Sequence, residues 1–171
     1  NIRVNLSCTE RAGIHQYTFM NANERKFILL DLNYRDKLIK GSFQIIDKQN
    51  ICGMRSSEAW ANEQHFYFHL TTSIPYIKHE LRDQNGQMKL LLEFPINTKD
   101  LLIKVGMSHV DIEGAQMNLS AEIPHFSLPK VYNENLQKWN HALRFTVRTF
   151  NVSTECAHRG PVIAQTTRIF R

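Results

Sequence analysis

The residues with the clearest potential for chemistry lie in the segment Ile51–Leu70, where Glu58 and Glu63 stand on either side of Trp60. Carboxylates can hydrogen-bond sugar hydroxyls, and a pair of them can cleave a glycoside. Trp60 could be a lid over the end of a sheet or a flat platform for a partner. We favour the lid, because amphipathic aromatic residues commonly cap cores. Solvated turn carboxylates would give the same pattern, so the segment alone does not predict catalysis.

Other polar groups in the sequence predict structure more readily than a reaction. Asp111 and Glu113 stand two apart at a strand-to-helix junction, where a carboxylate is favourable to the helix dipole. His65 and His69 lie on one strand face but are separated by roughly 13 Å, too far for one metal ion. The spacing offers no Ser–His–Asp or Cys–His set and no glycine-rich phosphate loop. We therefore expect no catalytic residue and no metal site in this chain.

Cysteine count and charge limit the remaining function classes. Three cysteines, Cys8, Cys52 and Cys156, exclude a full disulfide framework and a zinc knuckle. A Cys8–Cys52 bridge stays open, although both lie in strand-like context and we favour buried free thiols. The net charge of +5 is scattered over single Lys and Arg residues. We expect a solvated surface and no nucleic-acid partner, with polyanion binding by the basic tail Val152–Arg171 as a weaker alternative.

The ends and the hydropathy of the sequence add two expectations. No run approaches the roughly 18 apolar residues that a membrane span needs, so we expect none. The chain opens on a strand pattern and has no signal peptide, which predicts that an upstream part of the protein is missing.

The elements around the first segment are mostly short strands. Between Gln64 and Leu70 the apolar side chains alternate, so Phe66, Phe68 and Leu70 should face a core, while His65, Tyr67 and His69 face water or a ligand. Arg55–Asn62 is too polar to be buried. About ten strands with regular turns predict a mainly β fold, an antiparallel sandwich. The predicted strands include a half-buried Asn1–Cys8, His15–Phe19, Lys26–Asp31, a hairpin of Gly41–Asp47 with Asn50–Met54, an edge strand Ile74–Lys78, Met88–Phe94 and Leu101–Ser108.

The pattern changes after the last strand. Asp111–Ala121 has helical periodicity, and Ser127–Pro129 starts a second helix with proline in its first turn. An apolar stripe follows, predicted to dock on the sandwich or on a neighbouring domain: Tyr132, Leu136, Trp139 and Leu143. Arg144–Phe150 could be a strand, His79–Gln87 is predicted to be a polar connection with a turn at Asn85-Gly86, and Val152–Arg171 is expected to be disordered. The predicted domains are a sandwich at 1–110, linker helices at 111–145 and a divergent tail at 146–171.

Three segments together resemble glycoside hydrolase family 92, the calcium-dependent exo-acting α-mannosidases found mainly in bacteria. Thr9–Phe19 is similar to the family's T-x-R-A-G-x-H-R-Y-x-F segment, with Gln16 in place of arginine. Ala59–Phe68 is similar to its G-W-A-x-x-Q-x-x-Y-F segment, with alanine in place of glycine. Ser108–Glu122 matches S-x-V-x-x-E-G-A-x-x-N-L-x-x-E.

The resemblance implies a supersandwich of the galactose-mutarotase-like type, here only its second part, followed by one or two linker helices. The helical barrel that carries the catalytic carboxylates and calcium ligands of the family would be missing, so the chain alone should be inactive and hold no Ca²⁺. Trp60 and Gln64 would contact an α-mannoside glycan, while Arg11 and Glu113 would hold the sandwich together. Partners would be the glycan and the missing barrel, with self-association of an exposed apolar patch, and the location would be periplasmic or secreted. A stand-alone carbohydrate-binding or interaction module is the alternative.

Overall fold

The computed structural model describes residues 1–149 except 22, 35, 85 and 86. In this part of the chain, nine strands are followed by two helices. The strands are β1 Ile2–Cys8, β2 Ala12–Phe19, β3 Lys26–Asp31, β4 Lys37–Ile45, β5 Asn50–Glu58, β6 Gln64–Thr72, β7 Lys78–Gln84, β8 Gln87–Phe94 and β9 Asp100–Ser108. The helices are α1 Ile112–Glu122 and α2 Leu128–Thr149.

The strands form two antiparallel sheets. One has six strands in the order β1-β2-β9-β6-β5-β4, and the other has three in the order β3-β8-β7. Every pairing is antiparallel, including β2 with β9, which brings Ala12 opposite Gly106. The predicted sandwich and the predicted helices after it are confirmed.

Apolar side chains from both sheets meet in one core. Leu101 and Ile103 of the large sheet pack with Leu90, Leu92 and Phe94 of the small sheet, and all five are at most 2% exposed. Alternate residues of β9 reach this core because neighbouring side chains on a strand point to opposite faces. The other face of the large sheet therefore needs its own cover.

Helix α1 supplies that cover. Ala115 and Leu119 of α1 pack with Ala12 and Ile14 of β2 in a second buried cluster. The approach is close: a methyl group at Gly106 of β9 would lie 2.2 Å from the Ala115 carbonyl oxygen. Only glycine permits this contact without a shift of the helix.

The sequence begins α1 with side-chain hydrogen bonds. Asp111 is the N-cap, and its carboxylate accepts from the Gly114 N–H at 2.6 Å. Ser108 Oγ accepts from the Val110 N–H at 3.0 Å, and the Asn118 amide donates to the Met107 carbonyl at 2.8 Å. These bonds explain why polar residues recur at short intervals across the junction of β9 and α1.

The end of α1 is tied to the β1–β2 turn. Glu122 accepts hydrogen bonds from Thr9 Oγ1 at 2.5 Å, from the Arg11 N–H at 2.9 Å and from Arg11 Nε at 2.7 Å. Arg11 thus has the structural role expected of it, and its partner is Glu122. Glu113 is exposed in the first turn of α1.

Strand β1 is more exposed than predicted. Ile2, Val4 and Leu6 are 55%, 47% and 62% exposed, so the expectation of a half-buried strand is wrong. Their row lies on the same sheet face as Tyr17 and Phe19, to which Val4 and Ile2 are paired. The row stays uncovered because β1 is an edge strand of the large sheet and the described small sheet has only three strands.

Three other predictions about strands are wrong. Ile74–Lys78 is not an edge strand: the strand begins at Lys78 and occupies the stretch predicted as a polar connection. It pairs with β8, and this pairing fixes its position despite its polar sequence. Arg144–Thr149 is helical, since α2 continues through it.

Helix α2 carries the predicted apolar stripe. The described chain divides into two units between Asn135 and Leu136, so α2 belongs to both. Val131, in its first turns, is buried with the α1 cluster. The stripe residues are 41–60% exposed. No helix in the described residues is long and apolar enough to cross a membrane.

The described cysteines are free. Cys52 is buried, as predicted, whereas Cys8 is exposed on the edge strand, so the prediction of a buried thiol there is wrong. Cys156, the predicted Asn85-Gly86 turn and the tail predicted to be disordered lie outside the described residues.

Candidate functional site

The Trp60 side chain stands free in the turn between β5 and β6. It is 95% exposed, so the prediction that it caps the sheet is wrong and the alternative of a platform remains. The turn is closed by a hydrogen bond from the Ala59 N–H to the Ala61 carbonyl at 3.1 Å. Trp60 lies two residues after the end of β5 and four residues before the start of β6.

The end of β5, just before this turn, is more buried than its polar sequence suggests. Ser56 and Ser57 are 1% and 0% exposed, so the prediction that Arg55–Asn62 is too polar for burial is wrong for these two residues. Their hydroxyls are satisfied inside the protein: Ser56 Oγ donates to Glu63 at 2.9 Å, and Ser57 Oγ accepts from Arg55 at 2.7 Å. Burial is tolerated because each hydroxyl has a partner.

The two carboxylates beside Trp60 are both engaged. Glu58 forms an ion pair with Lys37 at 2.7 Å, and hydrogen bonding to Glu58 raises the pKa of Lys37. Glu63 accepts from Ser56 and lies 3.4 Å from His65 Nε2. Each of the two carboxylates therefore has its own partner in the fold.

Gln64 begins β6 directly after the turn. It is half-buried and pairs with Ser57 in the sheet. Trp60 therefore lies in the connection between β5 and β6, and Gln64 begins the strand that follows this connection. An exposed indole next to an amide can stack on a ring and hydrogen-bond a hydroxyl, which is binding chemistry.

His109 lies beside His65 and Phe66 of β6, a contact that the sequence did not predict. Its Nδ1 lies 3.0 Å from the His65 carbonyl oxygen, and its ring centroid is 4.5 Å from that of Phe66. It follows β9, which pairs with β6 so that Ser108 is opposite Tyr67. The only signal for this proximity would have been the strand order, and that order is not visible in the local sequence.

The face assignment of β6 holds at Phe68 and Leu70 on one side and at the exposed His65 on the other, but not at His69. Phe68 and Leu70 pack in the core between the sheets, as predicted. His69, predicted to face water or a ligand, is 4% exposed on the opposite side, where it pairs with Gly106 under α1. Burial lowers the pKa of His69, while the charge of Asp47 acts in the opposite direction.

The described residues do not fit a calcium site. Among them, no three His, Cys, Asp or Glu side chains are grouped so that they could hold a metal ion. The carboxylates nearest to Trp60 already bind Lys37 and Ser56, whereas Ca²⁺ takes six to eight oxygen ligands. No chemical step can be assigned to a metal at this turn.

Comparison with known proteins gives one matching family model and several similar structures. The model of the glycosyl hydrolase family 92 N-terminal domain matches residues 1–108. No curated protein sequence matches. The structure of the gh92 family glycosyl hydrolase ccman5 is similar, with a TM-score of 0.74 and 17% identity over 82% of this chain and 20% of that one.

Two structures from Bacteroides thetaiotaomicron are also similar. The family GH92 inverting mannosidase BT2199, from strain VPI-5482, has a TM-score of 0.71 and 18% identity, over 82% of this chain and 20% of that one. The family GH92 alpha-mannosidase BT3965 has a TM-score of 0.66 and 17% identity, over 78% of this chain and 21% of that one. The chain therefore spans about a fifth of the length of these structures.

Proposed function

Because the chain belongs to the glycosyl hydrolase family 92 N-terminal domain family, we propose that it is the glycan-contacting sandwich part of an α-mannosidase. In this proposal Trp60 and Gln64 bind a terminal α-mannoside. The hydrolytic groups lie on a helical barrel outside this chain. The described residues are then a binding surface, and the chain alone does not turn over substrate.

The observation that carries the proposal is the exposure of Trp60. A side chain of this size that is 95% exposed contributes nothing to the core. Its flat face is available to the apolar face of a sugar ring, and Gln64 stands close by in the sequence to hydrogen-bond a hydroxyl. Two of the similar structures are mannosidases, which supports mannose as the sugar.

We also propose the division of the chain. The sandwich would occupy 1–110, the linker helices 111–145 and a divergent tail 146–171. Support comes from the family model, whose match ends at residue 108, and from α1, which begins at Ile112. Calcium, where the intact protein uses it, would be held by groups outside the described residues, because these offer no cluster of ligands.

The test of binding uses the two tryptophans of the chain as a matched pair. Trp60 and Trp139 are 95% and 60% exposed, so replacing either by alanine should leave the fold intact. We expect methyl α-mannoside to give saturable heat in calorimetry with the wild-type chain and with Trp139→Ala. Trp60→Ala should lose most of this heat, because it removes the flat apolar surface on which the sugar ring would stack.

Fluorescence gives an independent readout. The chain has two tryptophans, so Trp139→Phe leaves Trp60 as the sole indole. Methyl α-mannoside should then change its emission, whereas methyl α-galactoside at the same concentration should change it less. An unchanged spectrum together with no heat would contradict the sugar-binding role of Trp60.

The hydrolytic part of the proposal has its own assay. Incubation of the chain with an aryl α-mannoside, with and without Ca²⁺, should release no aryl alcohol. Turnover abolished by chelation would mean that the chemistry lies in this chain, and the assignment to a barrel would be wrong.

The alternative is a stand-alone carbohydrate-binding module, which the same exposed indole favours. Size-exclusion chromatography separates the two functions. Part of a larger sandwich should self-associate through uncovered apolar residues such as the β1 row, whereas an independent module should be monodisperse.

A further inference from the structure

A second candidate site lies on the opposite face of the large sheet from the sandwich core. A cavity of about 260 Å³ lies between the sheet and α1, with His69, Thr71 and Lys104 on the strands and Gln116 and Ser120 on the helix. None of its lining side chains is acidic. Trp60 does not line it, so it is separate from the proposed glycan surface.

His69 is the first sign that the cavity is built to hold something. The side chain is 4% exposed, and its Nδ1 has no hydrogen-bond partner among the described residues. Buried polar atoms in native proteins are nearly always paired with protein, water or ligand. His69 lines the cavity and its Nδ1 lacks a protein partner, and these two observations together point to an occupant of the cavity.

Lys104 supplies charge at the same place. It is 7% exposed, and its ammonium donates to the Ile123 carbonyl at 2.9 Å and lies 4.5 Å from the centre of the Phe126 ring. An ammonium has three N–H donors, so two remain after the bond to Ile123. Among the described residues no carboxylate forms a salt bridge with Lys104.

The remaining polar lining is already satisfied or lies at the mouth. The Thr71 hydroxyl donates to Asn50 Oδ1 at 2.9 Å, so it has no donor left. Gln116 and Ser120 are exposed on α1 and can donate from the rim. The free groups are thus donors and one cation, with the imidazole able to act as either donor or acceptor.

We propose that this cavity binds a small oxyanion, a phosphate or carboxylate group, between the Lys104 ammonium and the His69 imidazole. The anion neutralises a buried cation that has no carboxylate partner and gives His69 Nδ1 its hydrogen bond. Gln116 and Ser120 close the mouth with neutral donors. A cation is disfavoured because Lys104 stands in the cavity and none of the lining residues carries a negative charge. Asp47 acts on His69 through its charge but does not line the cavity.

The test is a nuclear magnetic resonance titration of the full chain. Sodium phosphate is added at constant ionic strength against sodium chloride, and the imidazole nitrogen resonances of the eight histidines are followed. We expect a saturable shift of His69 with a much smaller change at the other histidines. A parallel titration with acetate identifies the source: a stronger response to phosphate indicates a phosphate group, and a stronger response to acetate a carboxylate.

Two sets of variants make the test specific. Lys104→Met keeps the apolar stem and should weaken binding by about tenfold or more, as expected for loss of a charge-assisted hydrogen bond. Should Lys104→Met fail to fold, the exposed pair Gln116→Ala and Ser120→Ala provides a second measurement, with a severalfold loss expected. Met117→Ala, at an exposed position of α1 that does not line the cavity, is the matched control and should bind as the wild type does.

Three results would overturn the proposal. One is a His69 resonance that does not move with phosphate or acetate, which would leave water as the occupant. Another is an equal shift at all histidines. The third is unchanged affinity in both Lys104→Met and the Gln116/Ser120 pair. Trp60→Ala should not alter the titration, so failure of the glycan proposal and failure of this one can be told apart.

Discussion

Removing the Glu122 carboxylate should loosen the attachment of α1 to the β1–β2 turn. This carboxylate is 15% exposed and accepts three hydrogen bonds, from Thr9 Oγ1, the Arg11 N–H and Arg11 Nε. Glu122→Ala removes the acceptor group of all three hydrogen bonds at once. Because the turn and the helix are far apart in sequence, no local bond replaces them.

The magnitude follows from the nature of the three bonds. The bonds from Thr9 and from the Arg11 N–H have an ionised acceptor and neutral donors, a class that contributes about 1.5–3 kcal/mol each. The Arg11 side chain is 60% exposed, so its ion pair adds only about 0–1 kcal/mol after solvent screening. After allowance for water reaching the vacated position, Glu122→Ala should lower the free energy of unfolding by about 2–4 kcal/mol.

The assay is urea unfolding followed by far-ultraviolet circular dichroism. Tryptophan fluorescence is the weaker probe, because Trp60 and Trp139 are both exposed in the folded chain. Glu113→Ala is the matched control: it removes a carboxylate from the same helix at an exposed position and should cost at most about 1 kcal/mol through the helix dipole. A double-mutant cycle with Arg11→Ala isolates the ion pair.

The contribution of Glu122 to the free energy of unfolding should depend on pH. Burial alone would raise the pKa of Glu122, but the hydrogen bonds from Thr9 and Arg11 and the charge of Arg11 outweigh it and lower the pKa. A lowered folded-state pKa adds stability above the unfolded value of about 4.3, and this stability is lost as the pH falls through the folded value. The stability difference between wild type and Glu122→Gln should therefore be constant near neutrality and shrink below about pH 4.3.

Two outcomes would refute this account of Glu122. One is a change in unfolding free energy for Glu122→Ala that is no larger than that of Glu113→Ala. The other is a wild-type advantage over Glu122→Gln that persists unchanged into the acid range. Either would mean that the three bonds are exchanged for water at no net cost.

Three further predictions concern the packing of the sheets. Gly106→Ala should lower the free energy of unfolding in urea by about 2 kcal/mol or more, because the new methyl group would lie 2.2 Å from a carbonyl oxygen of α1. Gly13→Ala is the control and should cost much less, because the nearest atom to its methyl group would be 3.8 Å away. Val4→Lys on the exposed row of β1 should reduce self-association in analytical ultracentrifugation, whereas Asn5→Lys on the opposite face should not. Equal effects of the two variants would exclude the β1 row as the contact between copies of the chain. Arg55→Lys should lower stability by about 1–2 kcal/mol, because an ammonium lacks the rigid planar fork with which the guanidinium reaches the Leu32 carbonyl and Ser57 together. An unchanged unfolding midpoint would contradict this.

The sequence predicted those elements whose periodicity matches their burial. Strands such as Lys26–Asp31 and Leu101–Ser108, and helix α1, follow from alternation or a 3.6-residue period together with a cap. Strand β7 was missed because its pairing with β8 holds a polar sequence in extended form. Strand β1 has the alternation of a half-buried strand, yet burial depends on what lies across from it, and no sequence pattern reports that.

The sequence predicted which residues form the candidate site, but not the burial and contacts of the residues around them. Trp60 and Gln64 could be named from their sequence context, whereas the burial of Ser56 depends on Glu63 reaching back from across the turn. The cavity beside His69 could not be predicted, because it needs β9 to lie between β2 and β6 and α1 to pack above Gly106. Strand order in a sheet is a property of the whole chain.

That strand order also fixes a sequence of events during synthesis. Among the described strands, β1 and β2 are made before the others, and apart from each other they pair in the large sheet with β9, which is made after all of them. Closing such a long loop is slow, and non-local pairing of this kind lowers folding rates. The hairpin of β1 and β2 must therefore wait for its pairing with β9 until β9 has left the ribosome, and during this interval the strand edge of β2 is unpaired.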